Sequence, residues 1–336
     1  MQQTSQPILS VRNLKTYFHQ DEGIVRAVDG ASFDIYPGRT LGIVGESGCG
    51  KSVTARSILQ IVDKGGRIEG GEILLRRANG TGQNDILDLA KLKPDSRQAR
   101  AIRGSEIALI FQEPMTSFSP VHTVGSQIME AILLHQPVST REARDQAIET
   151  LRLVGMPKPE KTIDNYPHQL SGGMRQRAMI AMALACNPKL VIADEPTTAL
   201  DVTIEAQILE LLKDLQNEFG MAIMYISHDL AVVGGVADEI IVMYLGLVME
   251  HASAEQLFEN PRHPYTQALL RSIPTIDGTL ERLATIQGAM PSPFTEHMGC
   301  PFFTRCDQRV PGACDVRRPP IVEVEPGHKV RCVLYE

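Results

Sequence analysis

The sequence lacks any long hydrophobic run. Its longest apolar stretches, residues 178–186 and 240–249, are about ten residues long, whereas a helix needs about 20 apolar residues to cross a bilayer. The first ten residues also lack the basic start and the apolar core of a secretory signal peptide. These absences exclude a membrane-spanning chain and predict a cytoplasmic one, which can still dock on a membrane protein that supplies the helices.

An excess of positive charge is also missing. Lys and Arg number 33 against 40 Asp and Glu, so the formal net charge is −7 and the pI is near 5.8. Proteins that bind nucleic acid usually present a basic surface, and we therefore expect no nucleic-acid partner. At 336 residues the chain exceeds the usual size of one core, which predicts one large domain and a smaller one.

Cysteine is scarce until the end of the chain. Cys49 and Cys186 stand alone, and the other four lie within the last 37 residues. These four are Cys300, Cys306, Cys314 and Cys332. Their spacing lacks the C-x₂-C pairs of most structural zinc sites. From the residues alone, zinc and a [4Fe–4S] cluster are equally good interpretations of four thiolates. Unligated thiols are a third interpretation, and His297 or His328 could replace one ligand.

A glycine-rich segment, GESGCGKS, occupies residues 45–52 between an apolar run and a helical pattern. The pattern G-x-x-x-x-G-K-[ST] after a strand predicts a loop whose backbone N–H groups wrap around a polyphosphate. Lys51 then reaches the outer phosphates, and Ser52 supplies a Mg²⁺ ligand. The predicted ATP contacts are Gly45, Glu46, Ser47, Gly48, Cys49, Gly50, Lys51, Ser52 and Val53. Because a protein that meets ATP works in a reducing compartment, disulfides explain the cysteine cluster poorly.

Two continuous apolar runs end in residues that carry chemistry. KLVIA is followed by Asp194 and Glu195, and MAIMYIS is followed by His228. Such runs, separated by helical segments, indicate buried parallel strands of an α/β fold, where ligands bind at the carboxyl ends. Asp194 can hold Mg²⁺ there, and Glu195 can deprotonate an attacking water.

The remaining local patterns give a coarse outline of the fold. Residues 8–44 predict short strands of an antiparallel sheet, with Asp-Gly and Pro-Gly pairs at the turns. A polar, glycine-containing arm is predicted over residues 65–85. Residues 120–190 are mostly helical, with amphipathic segments at 126–136 and 141–155.

The segment LSGGMRQR, residues 170–177, identifies the family. Ser171 can cap a helix that opens at Gly172 and Gly173 and presents N–H groups to an anion. Here the chain resembles the ATP-binding subunits of ABC transporters. The resemblance implies a phosphate-loop core sheet, an antiparallel β subdomain and a helical subdomain. It also implies that the signature of one subunit closes over the γ-phosphate held by another, in a head-to-tail dimer.

Further family motifs match across residues 8–255. Gln112 in IFQEPMTS resembles the Q-loop glutamine, which senses Mg²⁺ and the attacking water. Asp201 resembles the D-loop residue, and His228 resembles the switch histidine that contacts the γ-phosphate. Phe18 or Tyr17 should stack on adenine, with the register favouring Phe18. By resemblance the catalytic set is Lys51, Gln112, Glu195 and His228, and the Mg²⁺ set is Ser52, Gln112 and Asp194.

Beyond residue 255 the composition changes, and we predict a boundary between an ATPase domain, 1–255, and an extension, 256–336. NPRHPYTQALLRSIP and the cysteine-containing tail resemble the extension of oligopeptide and dipeptide importer ATPases. That resemblance implies a paralogous second ATPase subunit, two membrane permease subunits and an external binding protein, with this chain on the cytoplasmic face of the membrane. It also implies a structural [4Fe–4S] cluster on the four cysteines, remote from ATP.

The resemblance leaves the cargo and two other classes open. Importers of this subfamily also carry nickel, glutathione or short sugars. A non-transport ABC ATPase would share the motifs but would usually add a long coiled coil, a second ATPase domain or a basic face, and none is present in the sequence. In a redox or metal sensor built on the cysteine tail, ATP hydrolysis would be secondary.

Overall fold

The structure, a computed structural model, describes residues 6–78, 84–112, 117–198, 201–273 and 286–336. The strands in these ranges are β1 (Leu9–Gln20), β2 (Gly23–Ile35), β3 (Thr40–Val44), β4 (Gly66–Ala78), β5 (Asn84–Asp88), β6 (Ile107–Ile110), β7 (Leu190–Asp194), β8 (Ala222–Ser227), β9 (Glu239–Tyr244), β10 (Leu247–Ser253), β11 (Val322–Glu325) and β12 (His328–Val330). The α-helices are α1 (Lys51–Ile58), α2 (Arg97–Ile102), α3 (Val124–His135), α4 (Thr140–Leu153), α5 (Pro159–Thr162), α6 (Gly172–Leu184), α7 (Val202–Phe219), α8 (Leu230–Val236), α9 (Ala254–Glu259) and α10 (Pro264–Arg271).

The chain divides into two compact units, each built from separate stretches of sequence. The first unit contains the chain up to Ile8, Ile35–Arg39 and Leu92–Tyr225. The second unit contains Leu9–Asp34, Thr40–Lys91 and Ile226–Glu336. This division is made by contacts in space, so it does not test the predicted boundary at residue 255, which stays a prediction.

An antiparallel sheet in the second unit has the strand order β2-β1-β4-β5. The residues predicted as a polar arm, 65–85, include β4 and the first residues of β5, so the sequence analysis missed these strands. The reason is that β4 buries few side chains, chiefly Ile73 and Leu75, and its exposed polar residues hide the strand pattern. The predicted turn at Asp29–Gly30 also lies inside β2, where Gly30 has φ +102°.

The second unit also contains strands in the order β11-β12-β10-β9-β3. β3 pairs in parallel with β9 and is not part of the antiparallel sheet predicted from residues 8–44, because its five residues are all buried and need a covered sheet. β12 pairs antiparallel with β10, with Val330 opposite Glu250. The C-terminal extension therefore contributes strands to this sheet.

The first unit combines parallel strands with most of the helices. β6 pairs in parallel with β7, and β8 follows in the order β8-β7-β6. The predicted amphipathic segments form α3 and α4, which confirms them. Ser139 and Glu142 form a capping box at the start of α4. The mixed α/β fold predicted from the sequence is thus observed, with parallel and antiparallel strands.

Candidate functional site

The phosphate loop leaves β3 and enters α1 through backbone that only glycine accommodates easily. Gly45, Gly48 and Gly50 have φ values of +151°, +79° and +106°. A Cβ on Gly45 would lie 2.2 Å from the Met243 carbonyl oxygen, and one on Gly50 would lie 2.1 Å from that of Ala27. These close approaches explain the glycine spacing, because any side chain would push the loop off its neighbours.

Lys51 opens α1 and points back over the loop. Its Nζ donates to the carbonyl oxygens of Gly45, at 2.8 Å, and Glu46, at 3.3 Å. The ammonium group thus lies along the loop, where a phosphate could replace these carbonyls as its partner.

Burial raises the pKa of the Cys49 thiol to about 11, so this cysteine stays protonated and acts as a small buried side chain. Ser47, Ser52 and Val53 lie in the same segment.

Glu46, the second residue of the loop, has partners that the sequence analysis missed. Arg305 from the C-terminal extension forms a bidentate ion pair with it, at 2.6 and 3.0 Å. The Glu46 backbone N–H donates to the Tyr265 hydroxyl at 3.0 Å. No local signal in the sequence reveals this contact, because the two residues are 259 positions apart.

Two aromatic candidates for adenine stacking lie on opposite faces of β1. Thr16 Oγ1 bonds to Ser57 Oγ of α1 at 2.7 Å, so Phe18, two residues on, shares the face toward α1. The Tyr17 hydroxyl donates to Asp29 at 2.6 Å, and Asp29 also pairs with Arg318. Burial, followed by the bond to Asp29, raises the pKa of Tyr17 to about 12.

His228, the predicted switch histidine, directly follows β8 and is exposed. The next residue, Asp229, caps α8 by accepting from the backbone N–H groups of Ala231 and Val232. This cap fixes the chain immediately after His228. Phosphate loop, adenine candidates and His228 all belong to the second unit.

In the first unit, Gln112 and Glu195 come together. Gln112 Nε2 donates to Glu195 Oε2 at 3.1 Å, and Thr198 Oγ1 donates to the same oxygen at 3.1 Å. Glu195 has φ +48°, a left-handed conformation that costs a non-glycine residue about 1 kcal/mol or more. Asp194, at the end of β7, is 6% exposed. This strained turn aims the Glu195 carboxylate at Gln112; the roles that the resemblance implied for the two residues stay predictions.

The signature and D-loop residues cap two helices that touch each other. Ser171 accepts from the Met174 backbone N–H at the start of α6, and Asp201 accepts from Ile204 at the start of α7. An ideal Cβ on Gly173 would lie 3.2 Å from the Ile204 side chain. Ser171, Gly172 and Asp201 are exposed. Both helix N-termini therefore present N–H groups at the surface of the first unit.

The four cysteines of the tail lie in one region without forming a ligand shell. The Cys300 N–H donates to the Cys314 carbonyl at 2.7 Å. Burial first, and then the neighbouring thiols of Cys332, Cys306 and Cys314, raise the pKa of Cys300 to about 12. Within the described ranges, no group of three or more His, Cys, Asp or Glu side chains is spaced to hold a metal ion. The structure therefore does not support the predicted [4Fe–4S] cluster or its zinc alternative.

Helix lengths bear on the relation to the membrane. In the part of the chain that the structure describes, no helix is both long and apolar enough to span a bilayer.

Comparison with protein families and curated relatives gives a consistent assignment. Residues 28–198 match the ABC transporter family model, and residues 249–314 match the oligopeptide/dipeptide transporter C-terminal region. A probable peptide ABC transporter ATP-binding protein of Sinorhizobium fredii is 50% identical, over 97% of this chain and 94% of its own. The oligopeptide transport ATP-binding protein AppD of Bacillus subtilis is 48% identical, over 98% of this chain and 97% of its own.

Solved structures agree on the fold. The bacterial ABC transporter cassette MJ0796, solved as a dimer, matches with a TM-score of 0.63 and 28% identity, over 73% of this chain and 98% of its own. The same cassette in a post-hydrolysis state bound to ADP and Pi gives the same values. Family models, relatives and fold, together with the phosphate loop and the Gln112–Glu195 pair, show that the chain belongs to the ABC transporter family, among the ATP-binding subunits of the oligopeptide/dipeptide type.

Proposed function

We propose that this chain hydrolyses ATP at the residues described above and that the hydrolysis drives import of oligopeptides or dipeptides through a membrane permease. The observation that carries the chemistry is the 3.1 Å hydrogen bond between Gln112 and Glu195, beside Asp194. The match to the oligopeptide/dipeptide C-terminal region and the names of the relatives support the peptide cargo over nickel, glutathione or short sugars.

In the proposed reaction Glu195 is the general base. It takes a proton from the water that attacks the γ-phosphorus, while the bond from that phosphorus to the β–γ bridging oxygen breaks and ADP leaves. Gln112 holds the carboxylate in place. Lys51 and the loop N–H groups stabilise charge on the outer phosphates, and His228 hydrogen-bonds the γ-phosphate.

Bound Mg²⁺ would supply further charge neutralisation at the phosphates. Ser52, Gln112 and Asp194 offer hydroxyl, amide and carboxylate oxygens, which are the hard ligands that Mg²⁺ prefers. The donor chemistry therefore suits the ion, and we propose these three residues as its protein ligands, directly or through water.

We propose that a second, paralogous ATPase subunit completes each site in a head-to-tail heterodimer. Support comes from the exposed N-termini of α6 and α7, which can donate to a γ-phosphate held by a neighbour. Ser171→Asp keeps a good helix cap but places a negative charge against that phosphate. It should leave ATP binding to the isolated chain intact while blocking closure and turnover in the assembly. Ser139→Asp, at the cap of α4, is the matched control.

The permease partners fit a groove on the helical part of the first unit. This groove, of about 400 Å³, lies between α3 and α4 and contains Met129, Leu133 and Leu134. Leu134 is 73% exposed, as expected of a surface that a partner covers. We propose that a cytoplasmic segment of the permease docks here and keeps this chain at the membrane. From the sequence, the segment EPMTSFSP after Gln112 is also expected to form part of the cleft that receives a helix of the permease, and its residues 113–116 lie outside the described part of the chain.

The [4Fe–4S] cluster remains a proposal that only the family resemblance and the gathering of four thiols support. If it exists, the full chain purified without oxygen is brown and contains about four irons, and replacing Cys300 with serine bleaches it. Colourless protein with one zinc per chain would refute the cluster while leaving the ligand set standing.

Co-purification from solubilised membranes tests the proposed function. The chain should co-purify with integral membrane proteins, and the complex should hydrolyse ATP faster when a peptide-loaded binding protein is added. A chain that stays monomeric, turns over ATP at the rate of a full transporter and co-purifies with no membrane protein would instead be a non-transport ATPase.

A further inference from the structure

The phosphate loop holds a carboxylate where ATP would bring several negative charges. Glu46 is the second residue of this loop, and its side chain is 27% exposed. Left alone, a carboxylate on this loop would disfavour a bound polyphosphate, since like charges in a partly buried site repel each other. The charge of Glu46 therefore needs a compensating cation.

Arg305 supplies that cation from the C-terminal extension. Its two terminal nitrogens bind both carboxylate oxygens of Glu46, at 2.6 and 3.0 Å. Such a fork-shaped pair fixes direction as well as charge, which a lysine could not do. The pair joins positions that are 259 residues apart in the sequence.

The guanidinium itself is immobilised by its surroundings. The Arg305 side chain is 4% exposed. Its nitrogens also donate to the Tyr244 hydroxyl, at 3.2 Å, and to the Gln287 carbonyl, at 3.2 Å. The rings of Tyr244 and Phe302 lie about 6 Å from its centre. A cation held at this many points cannot follow Glu46 to another position, so it fixes the loop where it is.

We propose that Arg305 is a positioning residue that sets the ATP affinity of this chain, by fixing Glu46 and cancelling its charge. Because the loop is already ordered, it presents its N–H groups to the phosphates without a further loss of conformational entropy on binding. Tyr265 adds a second anchor through the Glu46 N–H. This inference rests on the proposed role of residues 45–52 as the ATP site.

Titration of the full-length chain with a fluorescent, non-hydrolysable ATP analogue tests the proposal. Arg305→Gln should weaken binding roughly 3- to 30-fold, the range of coupling through positioning residues. Glu46→Gln should weaken it less, because the repelling charge disappears together with the anchor. The double variant Arg305→Gln/Glu46→Gln should bind better than Arg305→Gln alone.

That rescue separates the proposal from a structural role of Arg305. If the arginine only holds the extension together, removing Glu46 as well cannot restore affinity, and losses that add would overturn the proposal. Arg271→Gln is the control, since it breaks the exposed Arg271–Asp307 pair of the same extension and should leave affinity unchanged. Arg305→Lys keeps the charge but not the fork-shaped pair, so its ATP affinity should lie between those of wild type and Arg305→Gln. If Arg305→Gln folds poorly, Arg305→Lys should still bind ATP more weakly than wild type.

Lys51→Ala distinguishes a failure of the inference about Arg305 from a failure of the proposed ATP site. If it abolishes binding while Arg305→Gln and Arg305→Lys bind like wild type, the inference about Arg305 is wrong and the ATP site stands. If Lys51→Ala binds like wild type, the loop is not the ATP site, and both proposals fall.

Discussion

The phosphate loop and the Glu195 turn are similar in place but are held in different ways. Each follows a buried parallel strand, and each has backbone at positive φ, at Gly45 and at Glu195. The Glu195 carboxylate is held by Gln112 and Thr198 of its own unit. The phosphate loop is held by Arg305, from the C-terminal extension. The difference teaches that the proposed general base is held by residues of the ATPase core, whereas the proposed ATP-binding loop is also held by a residue of the extension.

Glu195→Gln should have the largest effect, and it should change hydrolysis without changing ATP binding. Glu195→Gln keeps the hydrogen bond from Gln112 but cannot take a proton, so hydrolysis by the assembled transporter should fall about 10²- to 10⁴-fold. ATP affinity should stay near that of wild type, because the phosphate loop is untouched. Single-turnover experiments measure the rate of hydrolysis, and nucleotide trapping measures the ATP that stays bound. Near-normal turnover would remove Glu195 from the role of general base.

Acid should destabilise the folded chain through a buried histidine of the extension, His263. Burial lowers the pKa of His263 from 6.5 to about 4, against a rise from Glu250 and a further lowering by Arg331. The folded chain therefore prefers the neutral imidazole, and its stabilising contribution is complete above pH 6.5 and is lost as the pH falls toward 4. The loss amounts to about 3 kcal/mol for a shift of this size.

His263→Asn tests this pH dependence. Asparagine can still accept from the Tyr265 N–H at the start of α10, but it does not titrate. The urea midpoint of the variant should fall less steeply between pH 6.5 and 4 than that of wild type. His122→Asn, at an exposed histidine of the first unit, should keep the wild-type slope. If the urea midpoint falls equally steeply with pH in His263→Asn and wild type, His263 does not cause the loss of stability in acid.

The adenine side offers a smaller test within the second unit. If Phe18 stacks on the base, Phe18→Ala should cost about 1–3 kcal/mol of ATP binding free energy, the usual value of base–aromatic stacking. Tyr17→Phe removes only the bond to Asp29 and should leave affinity within about twofold. Isothermal titration with ATP measures both. Wild-type affinity in Phe18→Ala would contradict stacking by Phe18.

The smallest effect concerns the local support of Glu195. Thr198→Val removes one hydrogen bond to the carboxylate, worth about 1 kcal/mol, so turnover should fall about fivefold with unchanged ATP affinity. Thr197→Val, which removes a bond to Glu205 instead, is the neighbouring control. Unchanged turnover in Thr198→Val would mean that Gln112 alone is sufficient to hold the base.

How much the sequence could predict depended on the distance between interacting residues. The glycine-rich loop between β3 and α1 and the helix cap at Ser171 follow from local spacing, and the sequence placed both correctly. Strand ends such as Asp194 and Glu195 were found because a buried run of apolar residues stops there. The pairing of Gln112 with Glu195 was not predicted, since no local pattern joins residues 83 positions apart.

Two kinds of feature could not be predicted. Arg305 looked like an ordinary residue of a cysteine-containing tail, because its partner Glu46 lies at the other end of the chain. The strand β4 was hidden because its exposed polar residues carry no clear alternation. For the cysteines, composition suggested a metal centre, but the described structure does not arrange the thiols as ligands.

Peptide uptake into proteoliposomes tests the central claim most directly. This chain and the membrane proteins that co-purify with it are reconstituted with ATP on the side of this chain and a labelled peptide, with its binding protein, on the other. The account predicts that wild type moves the peptide only when ATP is present and that Glu195→Gln moves almost none. Peptide uptake by Glu195→Gln at the wild-type rate, or uptake without ATP, would contradict it.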